Sequence, residues 1–229
     1  MSDQIISIAV DGPAGAGKST IAKRLAKELS FVYVDTGAMY RAMAIHLMRK
    51  GIEALDVETV SARCKEAEIS IRYENGEQQV LLDGENVNKL LRTQEVGDMA
   101  SASSTNPDVR RKLVELQQEL AKHVSVVMDG RDIGSVVLPN AQVKIFLTAS
   151  TDVRAKRRYD ELIEKGQKAD LAAVKKEIEE RDYRDTHREH SPLKQVEDAV
   201  LVDSTDLSID EVTAIILDIV KEKTGITAA

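Results

Sequence analysis

The stretch Gly12-Pro13-Ala14-Gly15-Ala16-Gly17-Lys18-Ser19 reads G-x-x-x-x-G-K-S, a spacing suited to holding a polyphosphate. Glycines let the backbone curl so that successive N–H groups point inward at phosphate oxygens. A helix beginning near Lys18 adds unpaired N–H groups and the positive end of its dipole. Lys18 supplies a full charge to the β- and γ-phosphates, and the hydroxyl of Ser19 is placed to ligate Mg²⁺. The glycine order is wrong for a dinucleotide-binding turn, which needs G-x-G-x-x-G.

Two other sets of residues carry chemistry. Asp35 and Asp129 each follow an apolar run, in Val34-Asp35-Thr36-Gly37 and Met128-Asp129-Gly130-Arg131-Asp132. Carboxyl ends of parallel strands are where such sheets bind ligands, and an aspartate there can hold the water shell of Mg²⁺. Taken singly, each aspartate also suits a helix cap or a turn, but having both beside one phosphate loop favours function. Arg154, Arg157 and Arg158 stand at i, i+3, i+4, and Arg181, Arg184 and Arg188 at i, i+3, i+7, so each set shares a helix face, with Asp185 four residues after Arg181. The plain alternative is a solvated face with pairs such as Glu177–Arg181 and Glu180–Arg184. Beside a phosphate loop, planar guanidiniums suit the clamping of several phosphates better than lysines do.

These residues need a scaffold. Five runs rich in β-branched residues, about 5–10, 31–34, 124–128, 143–147 and 199–202, read as buried strands. Helical patterns separate them, the first with Ile21, Ala22, Leu25, Ala26 and Leu29 on one face. An α/β fold with a parallel sheet and helices on both faces is expected. Asn106-Pro107 reads as N-cap and first residue of a helix running to about Lys122, and Ser208 with Glu211 as a capping box. Residues 69–88 interrupt this plan as a small antiparallel insert, with turns at 74–77 and at Asp83-Gly84. Residues 151–190 read as two helices joined by 164–169, a hairpin that would close over a nucleotide as a lid.

Composition narrows the class. The chain has 229 residues, 42% hydrophobic and 31% charged, which suits one compact core with small insertions. Its 39 acidic and 32 basic residues give a net charge of −7, which argues against a general nucleic-acid binder but leaves room for a local basic pocket. Cys64 is the only cysteine, so no internal disulfide is possible and a reducing cytosol fits; the thiol reads as an ordinary helix-face residue. Met1 to Gln4 carries no basic region of a signal peptide, and no apolar run approaches membrane-spanning length. His46, His123, His187 and His190 show no metal-ligand spacing with cysteine.

Together, D-G-P-A-G-A-G-K-S at 11–19, D-T-G-A-M-Y-R at 35–41, D-G-R-D at 129–132 and R-D-Y-R-D at 181–185 resemble the bacterial cytidylate kinases, within the nucleoside monophosphate kinase group. L-R-T-Q-E-V at 91–96 and V-K-I-F-L at 143–147 resemble them too, and the likeness runs almost end to end. It implies a single phosphate-loop kinase domain over 1–229: a three-layer sandwich whose five parallel strands lie in the order 2-3-1-4-5. It places the insert 69–88 within a monophosphate-binding region 36–105, and a helical lid at 154–188. It implies transfer of the γ-phosphoryl of ATP to CMP or dCMP with Mg²⁺, by a cytoplasmic monomer that engages neither nucleic-acid polymer nor membrane.

The same resemblance assigns roles. Gly12 through Ser19, with Thr20, would hold the phosphates of ATP, and Ser19, with Asp35 and Asp129 through water, would hold Mg²⁺. Arg131 and Arg188 would hold the acceptor's phosphate, with Gly130 and Arg41 beside it, while Arg158 and Arg184 reach the transferring group. Arg181 and Asp185 would bind the acceptor's sugar hydroxyls, and Tyr40 only packs. Cytosine offers an N4 donor beside N3 and O2 acceptors, so Asp132 can accept from N4 and Arg110 donate to N3 or O2. Uracil would set its O4 acceptor against Asp132. Ser101 and Thr36 are the other base-side candidates, Thr36 standing where many relatives have serine.

Rival readings have sequence requirements. A kinase for another monophosphate or a metabolite hydroxyl leaves D-G-R-D, Arg110 and Ser101 without a purpose. A GTPase switch needs N-K-x-D and a D-x-x-G segment, and neither occurs in the chain. An ATPase motor needs a carboxylate to orient water, and a binding module without chemistry leaves the lid arginines unexplained.

Overall fold

The first strand, β1 (Ser7–Asp11), has Ile8, Ala9 and Val10 fully buried, as a central parallel strand requires. In this computed structural model, which describes residues 5–74 and 76–227, β1 lies between β6 (Val126–Gly130) and β7 (Val143–Thr148). With β2 (Val32–Asp35) and β8 (Val200–Asp203) at the edges, the five-stranded sheet runs β2-β6-β1-β7-β8. Counting the parallel strands alone in chain order, that is 2-3-1-4-5. The strands end one or two residues later than the apolar runs suggest, because pairing continues into the polar residues at their carboxyl ends. Leu201 is 53% exposed, so the last run is an edge strand and not a buried one. Met1–Gln4 and the Asn75 position of the expected 74–77 turn lie outside the described residues.

The chain forms two compact units, one of Met1–Tyr33 with Val124–Ala229, the other of Val34–His123. In the first, α1 (Lys18–Leu29) buries Ile21, Ala22, Leu25, Ala26 and Leu29 in a cluster with Ile8, Val127 and Ile145 of the sheet and Val212, Ile216 and Val220 of α8 (Ile209–Thr224). Fully burying each of the Ile, Leu and Val side chains among them contributes about 1.5–3 kcal/mol. The Ser208–Glu211 capping box opens α8, and Gly225, at φ 73°, closes it. Helices α6 (Thr151–Glu164) and α7 (Leu171–His187) pack as a hairpin through Ala155, Leu162, Val174 and Ile178. Ser150 and Asp170 cap their starts.

In the second unit, Asp35 caps α2 (Thr36–Arg49). A short helix, α3 (Val57–Arg63), leads to a 3-10 turn that buries Cys64. The antiparallel insert has three strands, β3 (Ile69–Glu74), β4 (Glu77–Leu82) and β5 (Glu85–Asn86). Asp83 (φ 51°) and Gly84 (φ 81°) make the tight turn between the last two. Helices α4 (Gln94–Ser103) and α5 (Pro107–Ala121) follow, the second capped by Asn106.

Candidate active site

Parallel register brings the carboxyl ends of three strands level: Asp11 lies opposite Gly130 on one side and Phe146 on the other. The glycine loop therefore leaves β1 beside the Asp129–Asp132 turn. Gly12 adopts φ 151°, and a Cβ there would stand 1.9 Å from the Leu147 carbonyl oxygen, so only glycine lets the loop pass this close to β7. Gly17, at φ 87°, is the N-cap of α1 and turns the chain into the helix.

Lys18 is buried, and its Nζ donates to the Pro13 carbonyl at 2.7 Å. Burial, then the charge of Arg131, holds its ammonium well below the ordinary lysine range; Arg181 acts in the same sense, while Asp129 and Asp185 oppose. The structure thus collects Lys18, Arg131, Arg181, Asp129 and Asp185 around one point at the loop. Ser19 Oγ donates to Asp129 Oδ2 at 2.8 Å, and Tyr33 Oη donates to Asp129 Oδ1 at 2.9 Å. Two residues expected near a metal, Ser19 and Asp129, are therefore in direct contact.

The arginines divide into two groups. Arg131 Nε donates to Asp185 Oδ2 at 2.7 Å. Burial works against the charge on each, but the pairing prevails, raising the Arg131 pKa and lowering that of Asp185. Arg188 Nη2 lies 3.6 Å from Asp132 Oδ1, with both side chains buried, and its Nε donates to the Ser191 carbonyl at 2.6 Å. Other lid arginines are engaged within the protein. Arg154 bonds Asp182 and two backbone carbonyls, Arg157 bonds Ser204, and Arg158 donates to Glu161 at 2.8 Å. Arg184 faces solvent. Spacing along a helix thus grouped these arginines by face but did not show which of them bond the protein itself. Glu180 lies 4.0 Å from Lys176, on its own helix.

The second unit carries the remaining candidates. Asp35 Oδ1 accepts from Ala38 N at 2.9 Å, so at least one of its oxygens serves as a helix cap. Thr36 is buried at the start of α2. Gly37 leaves room for the Arg41 guanidinium, whose Nη1 would lie 3.2 Å from a Cβ there. Ser101 sits half-buried in the last turn of α4. Arg110 is buried on α5 with its guanidinium carbon 5.9 Å from the centroid of the Tyr40 ring.

Three supporting residues escaped the sequence reading. Asp11 accepts from Ile133 N at 2.8 Å and Gly134 N at 2.7 Å, pinning the turn that carries Arg131 and Asp132. Tyr33 orients Asp129; a tyrosine inside a buried strand needs a partner for its hydroxyl, and that was the available signal. Gln78 exchanges hydrogen bonds with the backbone of Asp35, at 2.8 and 3.2 Å, and nothing in its sequence context marks it.

A glycine loop between a central parallel strand and a helix, with lysine, serine and a strand-end aspartate converging, defines a phosphate-loop α/β protein built for phosphoryl groups. A sequence model described as "Cytidylate kinase" matches residues 8–222. The chain belongs to the cytidylate kinase family. A cytidylate kinase of Caldicellulosiruptor saccharolyticus is 49% identical over 214 residues, covering 93% of this chain and 95% of that protein. One from Streptococcus pneumoniae (strain Hungary19A-6) is 52% identical over 208 residues, covering 90% and 93%. The crystal structure of an uncharacterised protein from Eubacterium ventriosum has a TM-score of 0.52 at 14% identity, covering 96% of this chain and 99% of that one, a likeness of fold alone.

Proposed function

We propose that the protein transfers the γ-phosphoryl group of ATP to CMP or dCMP, giving ADP and CDP or dCDP. The observation that carries this reading is the buried Lys18 with the half-buried Arg131 and Arg181 at the phosphate loop, in a chain of net charge −7. Asp129 and Asp185 offset part of this positive charge, and phosphate groups arriving at the loop would neutralise the rest. In the reaction, an oxygen of the acceptor's phosphate forms a bond to the γ-phosphorus while the bond to the β-bridging oxygen breaks, and ADP leaves with that electron pair. The attacking oxygen is already anionic, so no general base is required, and catalysis is positioning and charge neutralisation.

Gly12 through Thr20 would hold the donor's phosphates, with Lys18 on the β- and γ-groups. The contact of Ser19 with the buried Asp129 fits a Mg²⁺ site that takes the serine hydroxyl directly and Asp129 through water, with Asp35 a further outer carboxylate. Mg²⁺ bound there would neutralise charge on the β- and γ-phosphates. Arg131 and Arg188, with Gly130 and Arg41, would hold the acceptor's phosphate, and Arg181 and Asp185 its sugar. Arg158 and Arg184 would turn to the transferring group when residues 154–188 close as a lid. Asp132 would accept from cytosine N4, releasing Arg188, while Arg110, Ser101 and Thr36 complete base recognition.

We take the whole chain, 1–229, as one kinase domain, with insert 69–88 serving the monophosphate-binding region 36–105. Among the described residues no helix is long and apolar enough to cross a membrane. The free, buried Cys64 suits a reducing cytoplasm, and the resemblance to the family supports a monomer. The test is ADP release with ATP and Mg²⁺ over no acceptor, CMP, dCMP, UMP, AMP, GMP and shikimate. Strong turnover with CMP and dCMP alone is expected. Turnover with another acceptor overturns the roles of Asp132 and Arg110, and release without an acceptor overturns the kinase reading.

A further inference from the structure

Arg154 lies in the first turn of α6 and is 5% exposed, yet its guanidinium is directed at the protein's own groups. Nε donates to the Ala149 carbonyl at 2.8 Å and Nη2 to Thr151 Oγ1 at 3.0 Å. Nη1 donates both to the Ala14 carbonyl at 3.1 Å and to Asp182 Oδ2 at 2.6 Å. One nitrogen thus touches the glycine loop and α7 together. The loop is shaped to receive it: a Cβ on Gly15 would stand 3.1 Å from Arg154 Cβ and 3.3 Å from its carbonyl oxygen.

The consequence follows from peptide geometry. In a planar trans peptide, the carbonyl of one residue and the N–H of the next point in opposite directions. Holding the Ala14 carbonyl towards Arg154 turns the Gly15 N–H the other way. Lys18 does the same one residue earlier, through the Pro13 carbonyl. We propose that Arg154 is a positioning residue for the phosphate loop: it fixes the Ala14–Gly15 peptide so that the Gly15 N–H faces the phosphates, and it locks α7 to the loop through Asp182. The inference rests on the reading that this loop holds ATP.

Arg154→Lys keeps the charge but has a single nitrogen, which cannot reach Ala149, Ala14 and Asp182 together. Its dissociation constant for MgADP, measured by calorimetry, should rise about tenfold, while the KM for CMP changes by less than about threefold. Asp182→Asn, a gentler change, should weaken MgADP by about threefold with the KM for CMP unchanged. A residue that only stabilises the fold would lower the melting temperature and move both substrates equally. That result, or MgADP binding within twofold of wild type in the folded Arg154→Lys protein, overturns the proposal. Should Arg154→Lys not fold, unchanged MgADP binding by Asp182→Asn does so instead. Wild-type protein that fails to bind MgADP overturns the ATP reading, a distinguishable failure.

Discussion

A lysine buried near two arginines gains most when an anion arrives, and this makes Lys18 the most diagnostic residue in the chain. Lys18→Ala should lower kcat by about 100- to 1,000-fold, since it removes one charge aimed at the transferring phosphoryl group, while circular dichroism shows an intact fold. Asp132 governs the choice of base in our reading. Asp132→Asn should raise the UMP-to-CMP ratio of kcat/KM by at least about tenfold, one good polar contact's worth of discrimination, and an unchanged ratio removes it from base reading. Asp11 makes a prediction about pH. Burial raises its carboxyl from 3.8 to about 6, against the two N–H groups it accepts and the Lys18 charge, and with Asp132 acting in the same sense as burial. The folded protein therefore binds this proton more tightly than the unfolded chain. The associated stability is fully present below about pH 3.8 and is lost as pH rises through about 6. The loss totals about 3 kcal/mol. Urea unfolding of wild type and Asp11→Asn across that window should show this term in the wild type only.

Elements were legible where one local rule decides them. The Asn106 and Ser208 caps and the Asp83-Gly84 turn follow from neighbours within four residues, and the glycine loop with its flanking β1 and α1 from one continuous stretch of chain. Ser208→Ala should therefore cost about 1 kcal/mol, readable as a shift in the denaturant midpoint, because it removes the acceptor for the Glu211 N–H. Gly12→Ala tests a long-range constraint on the same loop. The added methyl meets the Leu147 carbonyl at 1.9 Å, so the variant should lose MgATP binding and melt at lower temperature. Partners distant in sequence were not legible. Arg154 meets Ala14 across 140 positions and Tyr33 meets Asp129 across 96, and helical spacing carries no information about what lies opposite a face. Arg154 and Arg157 thus read like phosphate ligands, although they bond the protein itself.

At the scale of the whole chain, acidic composition and a basic site coexist because charge matters locally within a Debye length of about 8 Å. The protein should not be retained on immobilised RNA at physiological salt, whereas substrate phosphates should bind. Retention would expose a basic surface that the balance of 39 acidic and 32 basic residues conceals. The parallel sheet also has a temporal consequence. During synthesis β1 and the glycine loop emerge before their pairing partners, β6 and β7, which are made more than a hundred residues later. The Ile6 backbone, for instance, waits 119 positions for the Ser125 hydroxyl. All of Val34–His123 has been translated before either neighbour of β1 exists. Non-local pairing of this kind is slow, and it leaves an apolar strand without partners meanwhile. A segment made early is thus completed late, and a ribosome stalled before Val126 would present a phosphate loop with no strand on either side of β1 to shape it.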